Sequence, residues 1–174
     1  MKNNMLFIVI FLLSSNVGFT HKNDFAKLES QFSSKEIIPI YNFDSLEHLL
    51  YTNANKTFIV NFWAMWCGPC IKELPLFQEY EKNNPNAEVL LVSLDFVEDI
   101  ETKLKPFLKL KGITSKVVLL DDPDANVWIN KIDSNWSGAI PFTIIFNNKS
   151  RSYHEGAFKD YIDLENKINN TINK

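Results

Sequence analysis

Cysteine is scarce in this chain, with two in 174 residues. A structural zinc site wants four ligands, and the three histidines, His21, His48 and His154, are dispersed without ligand spacing. A metal centre is therefore not expected. Excess charge is also lacking: 18 basic residues face 21 acidic ones, a net charge of -3. With no basic stripe, nucleic acid is not an expected partner. No apolar run reaches the roughly 20 residues that span a bilayer, and there is no internal repeat or low-complexity tract.

What is present suits one folded domain. Forty-five per cent of the residues are hydrophobic and 13 per cent aromatic, enough for a sizeable core. The start of the chain stands apart. Met1-Lys2 supplies a positive charge, Met5 to Leu13 is unbroken apolar sequence, and small and polar residues follow from Ser14 to Thr20. That pattern is expected of a secretory signal peptide over residues 1–20, with an uncleaved anchor as the alternative. The remaining domain, 21–174, carries a short N-terminal extension and is expected to act in the periplasm or otherwise outside the cytoplasm.

Both cysteines lie in one stretch, "NFWAMWCGPC" (61–70). As a staple, Cys67–Cys70 closes a loop of four residues. The chain-entropy model gives such a loop about 2 kcal/mol, against about 3 for a 15-residue loop. A chain of this length has little need of it. The surroundings say more. Residues 58–63 (FIVNFW) form an apolar run suited to a doubly buried strand. Beyond Gly68, residues Ile71, Leu74, Phe77, Gln78 and Glu81 follow a helical rhythm. Pro69 suits the first turn, Pro75 predicts a kink, and Asn83-Asn84-Pro85 predicts the end. A second buried strand follows at 89–94, so the cysteines stand where a strand feeds a helix.

Helix N-termini carry unpaired N–H groups and partial positive charge, which favour a thiolate. Cys67 is expected just outside the first turn and exposed, with Cys70 one turn in and shielded. Such a pair can attack a disulfide and then resolve the mixed disulfide. Elsewhere the pattern predicts helices over 45–53, 100–111, 124–135 and 162–172, and a strand at 117–120. A hairpin of 142–146 and 151–155 and a possible edge strand before Tyr41 complete the elements. Alternating strands and helices ending in a hairpin predict an α/β sandwich with a mixed sheet. Trp63, Trp128 and Trp136 read as core.

These residues resemble a known family. "FIVNFWAMWCGPC" is similar to the thioredoxin superfamily. "WCGPCIKELP", "LLDDPDANVWINKI" and "GAIPFTIIF" resemble its exported TlpA/ResA-like thiol-disulfide oxidoreductases, from about residue 36 to the end. The resemblance implies a thioredoxin-like three-layer sandwich and a cis bond at Ile140-Pro141 facing the cysteines. It also implies that Glu73, three residues after Cys70 and on its helix face, accepts the proton of Cys70. Cytosolic thioredoxins have a buried aspartate where this chain has Asn61, and an amide cannot take that role. Trp66 is then a partly exposed platform beside Cys67, with Ile140 and Pro141 forming the rest of a substrate surface. Gly68 and Pro69 complete the CGPC motif.

The implied activity is that of an extracytoplasmic protein-disulfide reductase without cofactor or metal. It would act as a monomer on protein disulfides and draw electrons from a membrane donor. An oxidase or isomerase of the same fold is the near alternative, and a non-catalytic binding module the distant one. A peroxidase of this fold is disfavoured, because its reactive cysteine usually stands alone. A module that had abandoned catalysis would be expected to lose a cysteine or the proline, and this chain has both.

Overall fold

Doubly apolar strands bury both faces only when helices cover each side of their sheet, and the computed structural model of the chain has this arrangement. It describes residues 37–52 and 55–173. The expected signal segment and the extension up to residue 36 lie outside the described residues. The sheet has six strands in the order β1-β4-β3-β2-β5-β6. They are β1 (Ile40–Tyr41), β2 (Thr57–Trp63), β3 (Ala87–Ser93), β4 (Lys116–Leu120), β5 (Phe142–Phe146) and β6 (Arg151–Glu155). β1 to β4 run parallel, β5 is antiparallel to β2, and β6 is antiparallel to β5. The expected mixed sheet and thioredoxin-like three-layer sandwich are both present.

Side-chain alternation along β2 sorts the two cores. Phe58, Val60 and Phe62 point to one side with Val92, Val118 and Phe142. Helices α1 (Phe43–Leu50) and α4 (Ala125–Ile132) cover that side through Phe43, Leu46, Trp128 and Ile132. Ile59 and Trp63 point to the other side. There α2 (Gly68–Asn83) and α5 (Tyr161–Ile172) seat Cys70, Leu74, Phe77, Leu164 and Ile168. Asn61 falls on this second side, amid an otherwise apolar strand. Among the described residues no helix is long and apolar enough to cross a membrane.

Three local departures from the sequence reading have physical causes. The helix expected over 100–111 begins instead as a π-turn, Ile100–Leu104, before α3 (Lys105–Lys111). Pro106 has no N–H to give the Thr102 carbonyl, so a regular α-helical ladder cannot run through this point. Gly112, at φ 64°, then ends α3 in the left-handed region. On α2 the buried face is Cys70, Glu73, Leu74, Phe77 and Tyr80, whereas Ile71 and Gln78 are only half-buried. Finally, α4 stops at Ile132, three residues before the expected end, because the chain turns so that Trp136 can enter the core.

Trp136 anchors the segment that leads to the second half of the site. Its ring stacks on Phe142 at 3.9 Å and lies 5.3 Å from Phe62. Its indole N–H donates to the Ala139 carbonyl at 2.8 Å, one residue before Ile140. Trp136→Ala is expected to lower the unfolding free energy by about 3–5 kcal/mol, read by urea denaturation. Trp136→Phe keeps a ring in the stack and should cost clearly less; equal losses would show that the stack contributes little.

Candidate active site: a disulfide above a buried carboxylate

β2 ends at Trp63, and a tight turn closed by the Cys67 N–H donating to the Ala64 carbonyl at 3.1 Å leads into α2. Cys67 occupies the N-cap of α2, and its sulfur accepts the Cys70 N–H at 3.3 Å. Cys67 and Cys70 are joined as a disulfide, their Cα atoms 5.3 Å apart. Gly68 and Pro69 make the first helical positions between them. The helix terminus thus points an amide at the sulfur that would carry negative charge in the reduced form.

Cys67 corrects one expectation. It is buried, at 6% exposure, rather than exposed. Its sulfur is turned onto the helix terminus and lies 3.7 Å from the Ile140 carbonyl, so the loop before β5 roofs it. The Ile140-Pro141 bond in that loop is cis. Pro141 is buried and its carbonyl accepts the Gly156 N–H at 2.9 Å, which ties the loop to the end of β6. Solvent meets Trp66 instead, which is 65% exposed beside the disulfide. Ile140 is half-buried.

Asp95 holds the approach from below. Both its carboxylate oxygens lie 3.1 Å from the Met65 N–H, and Ser93 Oγ donates to it at 2.8 Å. Burial raises its pKa, with the Ser93 and Met65 hydrogen bonds opposing. No sequence pattern marked Asp95. Its partner is a backbone amide 30 residues away, and only the sheet brings the two together.

Beneath the cysteines, Glu73 is 1% exposed and fully engaged. Asn61 Nδ2 donates to its Oε1 at 2.9 Å, and the Phe158 N–H donates to its Oε2 at 2.9 Å. The second hydrogen of the Asn61 amide goes to Thr143 Oγ1 at 3.0 Å. Phe158 is fixed in turn, stacked on His154 at 4.1 Å and edge-on to Phe77 at 6.0 Å. Burial pushes the Glu73 carboxyl up from 4.5 to about 7, against the lowering effect of the Phe158 and Asn61 bonds. The sequence reading saw in Asn61 only the lack of an acid. Its place on the inward face of β2, opposite α2, makes it the donor that holds the acid. Phe158 and Thr143 went unnoticed because each comes from a distant strand or loop.

Asn61, Thr143 and His154 form one row across β2, β5 and β6 on this face. Burial lowers the pKa of His154 foremost, with Lys167 adding to it and Asp163 opposing. His48 lies on α1 and His154 on β6, on opposite sides of the sheet, while His21 is outside the described residues.

A cystine at the strand-to-helix turn of a mixed sheet covered by helices on both faces, roofed by a cis-proline loop, defines a thioredoxin-like protein. The chain belongs to the AhpC/TSA family, whose model matches residues 40–151. Among curated relatives it is similar to sporulation thiol-disulfide oxidoreductase A of Bacillus subtilis, 35% identical over 42% of this chain and 46% of that one. It is also similar to thiol-disulfide oxidoreductase ResA of Bacillus thuringiensis, 29% identical over 68% of this chain and 70% of that one. The chain therefore spans about half of the first relative and over two thirds of the second. A thioredoxin-related protein from Neisseria meningitidis serogroup B shares the fold at a TM-score of 0.58, with 24% identity over 71% of this chain and 90% of that one.

A raised carboxyl has a thermodynamic signature. The folded state holds the Glu73 proton more tightly than the unfolded state, so stability is greatest below pH 4.5 and is lost as pH rises through about 7. The loss from this group between pH 4.5 and 8 is roughly 3 kcal/mol. Urea denaturation of the oxidised protein should show that loss in the wild type relative to Glu73→Gln. Parallel pH profiles for the two proteins would show an unperturbed Glu73.

Proposed function

We propose that the chain is an extracytoplasmic protein-disulfide reductase that works by dithiol–disulfide exchange. The observation that carries this reading is the Cys67–Cys70 disulfide at the N-terminus of α2, above an otherwise buried carboxyl poised near neutrality. In the reduced form the Cys67 thiolate, held by the Cys70 N–H, attacks a substrate disulfide. A mixed disulfide forms and one substrate sulfur leaves as a thiolate. Cys70 then gives its proton to Glu73 and attacks the Cys67 sulfur, which releases the second substrate thiol. Two electrons pass to the substrate, and the Cys67–Cys70 disulfide is restored.

The substrate side is the rim of exposed Trp66 and half-buried Ile140 over Pro141. A cystine in an extended chain can lie along Ile140 and pair with its backbone while Trp66 covers one flank. The reducing direction rests on the Gly-Pro dipeptide, which the chain shares with thioredoxin, at about -270 mV. The exported setting rests on the apolar run Met5–Leu13. Outside the cytoplasm a reductase needs a membrane electron donor, and the domain needs no cofactor and no second copy for this cycle.

Three measurements check the reading. Equilibration with glutathione should give a potential near -270 mV, and a value near -120 to -180 mV would make the protein an oxidant or isomerase instead. Limiting iodoacetamide on the reduced protein should label Cys67 before Cys70, and Glu73→Gln should slow mixed-disulfide resolution about 10²–10⁴-fold with little effect on formation. Labelling of Cys70 first would reverse the roles, and an unchanged resolution rate would reduce Glu73 to a structural carboxyl.

A further inference from the structure

Glu73 must exist in two forms if it takes and returns a proton, and its surroundings suit only one of them as drawn. Both oxygens accept an N–H: Oε1 from Asn61 Nδ2 and Oε2 from Phe158 N. An ionised carboxylate satisfies both donors. A protonated one places an O–H against an N–H on whichever oxygen carries the proton. The Phe158 donor is a backbone amide and cannot become an acceptor. The Asn61 donor is a side-chain carboxamide, with an acceptor oxygen one rotation away. That oxygen, Asn61 Oδ1, is buried and has no hydrogen-bond partner.

We propose that Asn61 is a positioning residue that turns its carboxamide over when Glu73 takes up the proton, so that Oε1–H donates to Asn61 Oδ1. The proton released from Cys70 Sγ ends on Oε1, and Oε2 keeps its bond from Phe158 as the carbonyl oxygen of the acid. Thr143 accommodates the exchange, since a hydroxyl both accepts and donates: it accepts from Nδ2 now and donates to Oδ1 after the turn. The turned amide leaves Nδ2 where Oδ1 now stands unpaired, so one orphaned group replaces another. An unturned amide would lose the Glu73 bond as well, at the cost of an unmade buried hydrogen bond. The inference rests on the proposed role of Glu73 and adds the device that lets the buried acid hold either charge state.

Of the elements around Glu73, β2 and β5 carry no titratable group. α2 carries Lys72, Glu79, Tyr80, Glu81 and Lys82, β6 Arg151, Tyr153, His154 and Glu155, the following loop Lys159 and Asp160, and α5 Tyr161, Asp163, Glu165 and Lys167. The Glu73 shift traces first to burial, opposed by the Phe158 bond and, with the amide in its present orientation, by the Asn61 bond. Burial lowers the pKa of His154, with Lys167 adding to the effect and Asp163 opposing it.

The test is NMR of the oxidised wild-type protein, labelled with ¹³C and ¹⁵N and titrated from pH 9 to pH 5. The Glu73 carboxyl carbon reports its protonation. The nuclear Overhauser effect between the Asn61 amide protons and the Thr143 methyl reports which way the carboxamide points. The effect should be present at pH 9, lost at pH 5, and share its midpoint with the Glu73 carbon. If it persists unchanged while Glu73 titrates, the turning amide is overturned and the role of Glu73 stands. If Glu73 does not titrate above pH 5, both fall. Asn61→Leu gives a second reading: a fixed donor predicts that its loss weakens the acidity of Glu73 about tenfold, whereas a turning amide, bonded to both forms, predicts little change.

Discussion

A carboxyl group sealed inside an apolar layer must be either neutral or well bonded, and Glu73 is held between the two. Its burial comes from the sheet and helix packing around Leu74, Phe77, Phe158 and Leu164. Its two hydrogen bonds come from different parts of the sheet, Asn61 on a central strand and Phe158 just past the edge strand. The balance between burial and bonding leaves the acid ready to change charge near pH 7, one helical turn from Cys70. An aspartate in place of Asn61 would set a second carboxylate against Glu73 and force one of the two to stay protonated. The amide avoids that conflict while still reaching the acid.

The rest of the fold fixes what surrounds this group. β2 delivers the cysteine loop, and Asp95 at the end of β3 fastens Met65 just ahead of it. On the other layer, the aromatic cluster of Phe62, Trp128, Trp136 and Phe142 holds the loop that leads to Ile140 and Pro141. The roof of the disulfide therefore depends on packing in the layer that does not contain it. Gly156, at φ 103°, turns the chain out of β6 and lets Phe158 come back over Glu73. Trp66 is left largely to solvent, with Gly68 and Pro69 exposed beside it, which is where a protein substrate must approach.

Much of this was legible in the residues. The apolar runs of β2 and β3 carry strong signals, and WCGPC marks the strand-to-helix turn by itself. What the sequence hid was contact between distant segments. Asp95 serves a loop 30 residues earlier, and Phe158 serves a glutamate 85 residues earlier. Nothing local distinguishes either from an ordinary loop residue. Cys67 was expected in the open because helix N-caps usually face water. Its burial comes from the Ile140 loop, which only the β2–β5 pairing brings overhead. The π-turn at Ile100 shows a different kind of miss, since Pro106 stood in plain view within an otherwise helical pattern.

The account turns on Glu73 receiving the proton of Cys70, and the rate of mixed-disulfide resolution as a function of pH tests it most directly. In single turnover, the wild-type rate should rise with pH through a midpoint near 7 and then level, as Glu73 becomes free to accept a proton. In Glu73→Gln that step should vanish, leaving only the rise toward the ordinary thiol range at about 8.5. Identical profiles for the two proteins would contradict the account.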